Sequence, residues 1–159
     1  MQNHEKAIGV PEHPASSTLR ALFGLANETE REVARALELN LTDYRAFTVL
    51  SESGPLTVGA LAEKLSATAA TTTAIVGRLE MHGCVERARS TEDRRQVHVN
   101  VTEAASARVK ELLQPLAAAA AAQLDALEPD HQLVVADFLG SVVNLMQDHL
   151  NSLSAEGAR

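Results

Sequence analysis

The stretch from Leu56 to Thr102 constrains the fold more than any other part of this 159-residue chain. Thr57 stands where it can cap a short helix carrying Leu61, Ala62 and Leu65. Thr68 can cap a second helix that runs to about Met81, and Gly83 ends it. Beyond Gly83 the period changes. Val97, Val99 and Val101 alternate with Gln96, His98 and Asn100, the period of a half-buried strand. A first strand starts at Cys84, and Glu92-Asp93-Arg94-Arg95 forms a charged tip between the two. Helix, turn, helix, strand, tip, strand is the order of a winged helix-turn-helix. In that arrangement one helix fits a DNA major groove and the hairpin lies against the flanking backbone.

The rest of the chain has helical spacing. Residues 1–16 hold two Pro, a Gly and mixed charges without periodicity, and are expected to be a flexible arm. Ser16 or Ser17 offers a cap for a first helix to about Leu39, along which Leu19, Leu22, Phe23, Ala26, Val33 and Leu37 recur. Thr42 offers a cap for a second helix carrying Phe47, Val49 and Leu50, which Gly54-Pro55 stops. Thr102 opens a long helix through about Ala126, with a kink expected at Pro115, and Pro129 starts a final helix. Val134, Phe138, Val143 and Leu145 widen the apolar face of that last helix beyond one side, so it needs burial on two sides. The expected fold is mainly α with a small β-wing. Residues 17–40 and 102–153 would form a helical dimerisation region from both chain ends, and 41–101 the winged helix-turn-helix lobe, in one compact domain overall.

Composition narrows the function. No apolar run approaches the ~20 residues of a membrane span, and the N-terminus lacks a signal-peptide pattern. The single Cys84 excludes an internal disulfide. A cytoplasmic protein without a membrane partner is expected. The formal net charge of −7 is unevenly spread: residues 54–100 carry +1 and the remainder −8. A local Arg cluster can meet phosphate while the acidic remainder faces away. An enzyme has little support, because the chain has no phosphate-binding glycine loop with Lys, no two-His zinc motif and no nucleophile elbow. His4, His13, His82, His98, His131 and His149 lack metal-ligand spacing, so neither metal nor cofactor is expected.

Leu61-Ala62 with Leu65, Arg78-Leu79-Glu80, Gly83 with Val85-Glu86-Arg87, and Asp93-Arg94-Arg95 followed by Val99 and Thr102 together resemble the multiple-antibiotic-resistance regulator (MarR) family. The likeness covers roughly Ser17 to Leu150. It implies a homodimeric winged-helix transcription regulator, usually a repressor released by a small ligand or an oxidant. A symmetric dimer implies a pseudo-palindromic operator in double-stranded DNA, with recognition helices one turn, ~34 Å, apart.

Within the helix over 68–81, Thr72, Ile75, Val76 and Leu79 fall on one side and should be core. Ala70, Ala74 and Gly77 lie opposite, flanked by Thr71, Thr73 and Arg78, and Thr68 stands at the start. These are the candidate contacts in the major groove. Relatives often carry Arg where Ala74 stands and Asp where Gly77 stands. Without that Arg, two-bond reading of guanine is lost, and weaker base readout with more thymine-methyl and DNA-shape recognition is expected. Gly77 serves either packing against the wing or close DNA approach. At the wing, 88–96, the resemblance implies entry into the minor groove. Arg95 would insert, Asp93 would hold the neighbouring Arg94, and Arg87 and Arg89 would meet phosphates. Arg78 suits a phosphate contact or a structural salt bridge to Glu80 or the wing.

The trigger is less legible. Small aromatic acids and phenolics often bind relatives between the dimer helices and the DNA-binding lobe. Here Phe23, Tyr44, Arg45 and Phe47 are candidates for such a crevice, with Arg45 pairing a carboxylate, unless they are core packing with an exposed Arg. Cys84 is either a small buried hydrophobe or a redox switch that distorts the wing. Two alternatives to a ligand-released repressor therefore remain: a redox-responsive regulator, and a winged-helix interaction protein with weak or lost DNA binding.

Overall fold

The computed structural model describes residues 13–89 and 96–157. Along them run α1 (Ser16–Ala36), α2 (Leu41–Ser53), α3 (Val58–Lys64), α4 (Ala69–Met81), β1 (Val85–Arg89), β2 (Val97–Val101), α5 (Glu103–Asp125) and α6 (Pro129–Gly157). The mainly helical architecture with one small antiparallel hairpin is the expected fold class. The chain divides into two compact units, Met1–Leu112 and Leu113–Arg159. The arm over 1–16 lies mostly outside the described residues.

Local chemistry explains the boundaries in the first unit. Thr57 Oγ1 accepts the Ala60 N–H and Thr68 Oγ1 the Thr71 N–H, so both threonines cap as expected. Thr102 Oγ1 does the same for the Ala105 N–H at the start of α5. Two caps differ from expectation. The side chain of Asn40, not Thr42, caps α2, accepting the Asp43 N–H at 2.9 Å. The hydroxyls of Ser16 and Ser17 do not cap α1. Its N-cap is Ala15, whose N–H is donated to His13 Nδ1.

Three helices end in the same way. After α4, Gly83 takes the left-handed conformation (φ 66°), its N–H bonds to Glu80 O, and the Cys84 N–H reaches back to Leu79 O. This is the Schellman pattern, in which the residue after the left-handed position packs an apolar side chain against the last turn. Cys84 and Leu79 occupy those two apolar places and both are buried. Ser66 after α3 (φ 50°) and Glu38 after α1 (φ 58°) close their helices with matching bonds, Ala67 N–H to Ala62 O and Leu39 N–H to Ala34 O. Neither is glycine, so α1 stops at Ala36 without a sequence signal and falls short of the expected Leu39.

The core of this unit is built from Phe47 and Leu50 on α2, Leu61 on α3, Ile75, Val76 and Leu79 on α4, and Val99 on β2. In the hairpin Arg87 faces Val99 and Arg89 faces Val97. Val99 is fully buried while Val97 is exposed, so only the inner part of the valine face is covered. Leu56, between α2 and α3, bridges Val99 through two backbone hydrogen bonds of 2.8 and 3.3 Å. The bridge ties the wing's inner end to the helix-turn-helix.

One ionic junction fixes α4 against α2. The Arg78 guanidinium donates from Nε to Asp43 Oδ2 and from Nη2 to Asp43 Oδ1, both at 2.7 Å. Asp43 is only 2% exposed, and Asn40 Nδ2 donates to the same Oδ2. The cap of α2 and the brace to α4 thus share one carboxylate. A two-bond fork of this kind sets relative orientation as well as attraction.

In the second unit, α5 is unbroken across Pro115. Pro129 occupies the first position of α6, as expected. Leu133, Val134, Phe138, Val143 and Leu145 of α6 are each more than half exposed. No described helix is long and apolar enough to cross a membrane.

Removing the half-exposed Arg78 guanidinium leaves the buried Asp43 carboxylate without its charge partner. Asn40→Ala should lower stability by about 1 kcal/mol, the usual worth of a cap. Arg78→Met should lower the melting temperature further than Asn40→Ala. Adding Asp43→Asn to Arg78→Met should recover part of the loss. Thermal melts of the three variants check the order, and an Arg78→Met melt equal to wild type would contradict the brace.

Candidate nucleic-acid interface

α4 has two faces of opposite character. Thr72, Ile75, Val76 and Leu79 are buried against the lobe, as their spacing predicted. With 3.6 residues per turn, Ala70, Thr73, Ala74, Gly77 and Met81 line the other side. All are exposed except Gly77, which is half-buried. None carries a charge. Met81 continues this face at its C-terminal end and is 79% exposed. Its spacing, one turn beyond Gly77, is the sequence signal that places it on this face.

Most of the polar groups flanking this face are already bonded. Thr73 Oγ1 donates to Ala69 O at 2.7 Å. Thr68 and Thr71 share a hydrogen bond between their hydroxyls at 2.9 Å. Arg78 lies on one flank, held by Asp43, whose hydrogen bonds raise the guanidinium pKa above its ordinary value. Of the readings open for Arg78, the structural salt bridge is the one present, with Asp43 rather than Glu80 as partner. On the other flank Glu80 accepts from Arg87 Nε at 3.0 Å, linking α4 to β1. Arg87, a candidate phosphate ligand, is therefore engaged within the chain. Arg89 is exposed at the outer end of β1. Asp93, Arg94 and Arg95 lie outside the described residues.

Gly77 is half-buried, yet a Cβ built on it meets nothing within 4 Å. Gly54 and Gly83 differ, because their positive φ favours glycine. Packing inside the chain therefore does not account for glycine at 77.

The candidate ligand residues are dispersed. Tyr44 and Phe47 are buried and stacked, with ring centroids 6.3 Å apart, so they are core. Burial raises the Tyr44 phenol pKa. Arg45 is an exposed side chain that forks onto Glu30 of α1 at 2.9 and 3.1 Å, and this bonding raises its pKa. Phe23 is 36% exposed on α1. Phe23 lies on α1, and Tyr44, Arg45 and Phe47 on α2. A shallow groove of about 330 Å³ lies along Leu25, Glu28, Thr29, Glu32 and Val33 of α1 and Leu112 of α5. Cys84 is buried, its Sγ faces His82 O at 3.8 Å, and burial pushes its thiol pKa up. Among the described residues no cluster of His, Cys, Asp and Glu is arranged to hold a metal.

Comparison with known proteins agrees with this architecture. Residues 39–97 match the MarR family. The chain is 31% identical over 120 residues to the uncharacterized HTH-type transcriptional regulator YcgE of Bacillus subtilis, covering 76% of this chain and 78% of that one. Among solved structures, a MarR family protein from Bacillus stearothermophilus superposes with a TM-score of 0.63 at 24% identity, over 84% of this chain and 94% of that one. Streptococcus pneumoniae FabT, solved in complex with DNA, superposes with a TM-score of 0.63 at 20% identity, over 85% and 96%. With α3, α4 and the hairpin in the order that fold requires, the chain belongs to the MarR family of transcription regulators.

Proposed function

We propose that this chain acts as a homodimeric, sequence-specific repressor, with α4 in the DNA major groove and the wing, 88–96, at the minor groove. The observation that carries this reading is the second face of α4. The lobe buries one side of the helix completely and leaves the side with Ala70, Thr73, Ala74 and Gly77 uncovered. The DNA-bound FabT shares the fold. Dimerisation is supported by the apolar side chains that α6 leaves exposed, more than a lone helix keeps in water. Two such lobes related by a twofold would meet a pseudo-palindromic operator.

Release by a small molecule belongs to this proposal. Tyr44 and Phe47 pack in the core and Arg45 pairs with Glu30, which leaves these residues less free to hold an effector. The groove along Leu25, Thr29, Val33 and Leu112 offers an apolar strip beside the Glu28 and Glu32 carboxylates, which favours an uncharged ligand over an acid. A redox trigger at Cys84 has weaker support. The reactive form of cysteine is the thiolate, and burial disfavours it here.

The first test is competition binding of the purified protein to the DNA beside its own gene, titrated with salt. A saturable, salt-weakened complex on a near-palindrome is expected, with a specific-to-nonspecific ratio below ~10⁵, within the usual range. No preference over competitor DNA from a folded dimer would favour the interaction-protein alternative. Arg95→Ala should weaken binding and flatten the slope of log affinity against log salt by about one; an unchanged slope removes Arg95 from the phosphate contacts. Gly77→Ala should raise stability by up to ~1 kcal/mol and reduce DNA affinity. Unchanged affinity would mean that α4 does not approach the DNA closely at 77. Cys84→Ser should leave the protein's response to peroxide as in wild type, and loss of a peroxide response would restore the redox reading.

A further inference from the structure

We infer, resting on the DNA-binding reading above, that Thr73 is a specificity-determining residue that selects thymine through its methyl group rather than through its hydroxyl. A helix in the major groove distinguishes bases by hydrogen bonds to their edges or by apolar contact with the thymine C5-methyl. Guanine offers only acceptors there, so selecting it requires donors. The α4 face has few to give. Asp43 holds two of the five Arg78 N–H donors, at Nε and Nη2, and so anchors the guanidinium on the flank of the face rather than at its centre. The Thr73 hydroxyl proton is committed to Ala69 O. Thr68 and Thr71 are tied to one another at the start of the helix, where Thr68 Oγ1 accepts the Thr71 N–H at 3.1 Å and one hydroxyl donates to the other, leaving a single hydroxyl proton between them.

What the centre of the face presents is therefore apolar. With Oγ1 turned onto the backbone carbonyl four residues back, the methyl is the outward γ-substituent of Thr73. Ala70 and Ala74 set methyl groups beside it, and Gly77 leaves room for the groove edge to approach. Thr73 is the largest exposed side chain among these four, so it reaches furthest toward a base. A thymine methyl placed against it loses water on both partners, worth roughly fourfold in affinity per methyl at ~0.8 kcal/mol per buried carbon. Cytosine lacks that carbon, and 5-methylcytosine has it.

The test uses the full chain and a duplex recovered by iterative selection from a randomised library. Deoxyuridine replaces thymidine at each half-site position in turn, which removes the methyl and keeps the base pair. About fourfold weaker binding is expected at the contacted positions. There, a C·G pair should bind more weakly than 5-methyl-C·G. Thr73→Val, which keeps the methyl and loses the hydroxyl, should bind like wild type. Thr73→Ser, which keeps the hydroxyl and loses the methyl, should bind more weakly and show a smaller thymidine–deoxyuridine difference, the signature of coupled partners. Both substitutions are at an exposed position, and thermal melts verify that both variants fold. If uridine duplexes bind as well as thymidine duplexes, or if Ser binds like wild type while Val does not, the methyl role is overturned and DNA binding stands. If selection recovers no preferred duplex from folded protein, the DNA-binding reading fails and the Thr73 role falls with it.

Discussion

The Asp43 carboxylate is the point on which the rest of the lobe depends. It is buried in the first turn of α2, it takes two bonds from Arg78, and Asn40 both caps its backbone and donates to its side chain. Only the carboxylate of this pair is buried, so the pair's cost lies in leaving Asp43 unpartnered rather than in the net attraction of the two charges. Its effect here is geometric. α2 and α4 can dock only with the guanidinium plane facing the carboxylate, and that fixes which side of α4 is left outside. The hydrophobic contacts of Ile75, Val76 and Leu79 supply attraction but tolerate sliding. The fork does not.

The same junction shapes the electrostatics of the exposed face. Arg78 would otherwise be the cation nearest that face on α4, and it is neutralised. Arg87 is paired with Glu80, and Arg45 with Glu30. In a chain of net charge −7, pairing Arg78 and Arg87 beside α4 lowers the attraction for phosphate. Encounter with DNA would then gain little from long-range steering. Discrimination at α4 would depend on fit at short range, where a methyl contact still contributes.

Much of the lobe was legible because its signals are local. Thr57, Thr68 and Thr102 cap within three residues of their own positions, the buried face of α4 follows from 3.6-residue spacing, and Gly83 marks a left-handed turn. What was missed is non-local or lacks a residue signature. Asp43 and Arg78 are 35 positions apart, and nothing near either one indicates the other. The Leu56–Val99 bridge joins segments that periodicity treats separately. The end of α1 depends on Glu38 in a left-handed conformation that sequence rules assign to Gly or Asn. Asn40 and Thr42 are both good caps, and the Asn40 side chain bonds to the backbone and carboxylate of Asp43 decide between them. At the candidate site, the opposition of the two α4 faces could be read from the sequence. The occupied state of its hydroxyls and arginines could not, because that depends on which partners tertiary packing brings near.

Cys84 and Gly77 show how position can separate structural from external demands on a residue. Cys84 stands one residue after a left-handed glycine, where the Schellman turn calls for an apolar side chain over Leu79. The fold explains a small hydrophobe there without any redox chemistry. Gly77 is the reverse case. Its backbone is ordinary helix, a Cβ would meet nothing, and alanine would favour the helix. Every other exposed position on the central α4 face holds Ala or Thr, so the helix does not avoid side chains in general. A residue that costs the isolated fold stability, with no compensating contact inside the chain, points to a constraint outside it. On a helix face that the lobe leaves open, the object that would meet a missing Cβ is whatever that face binds.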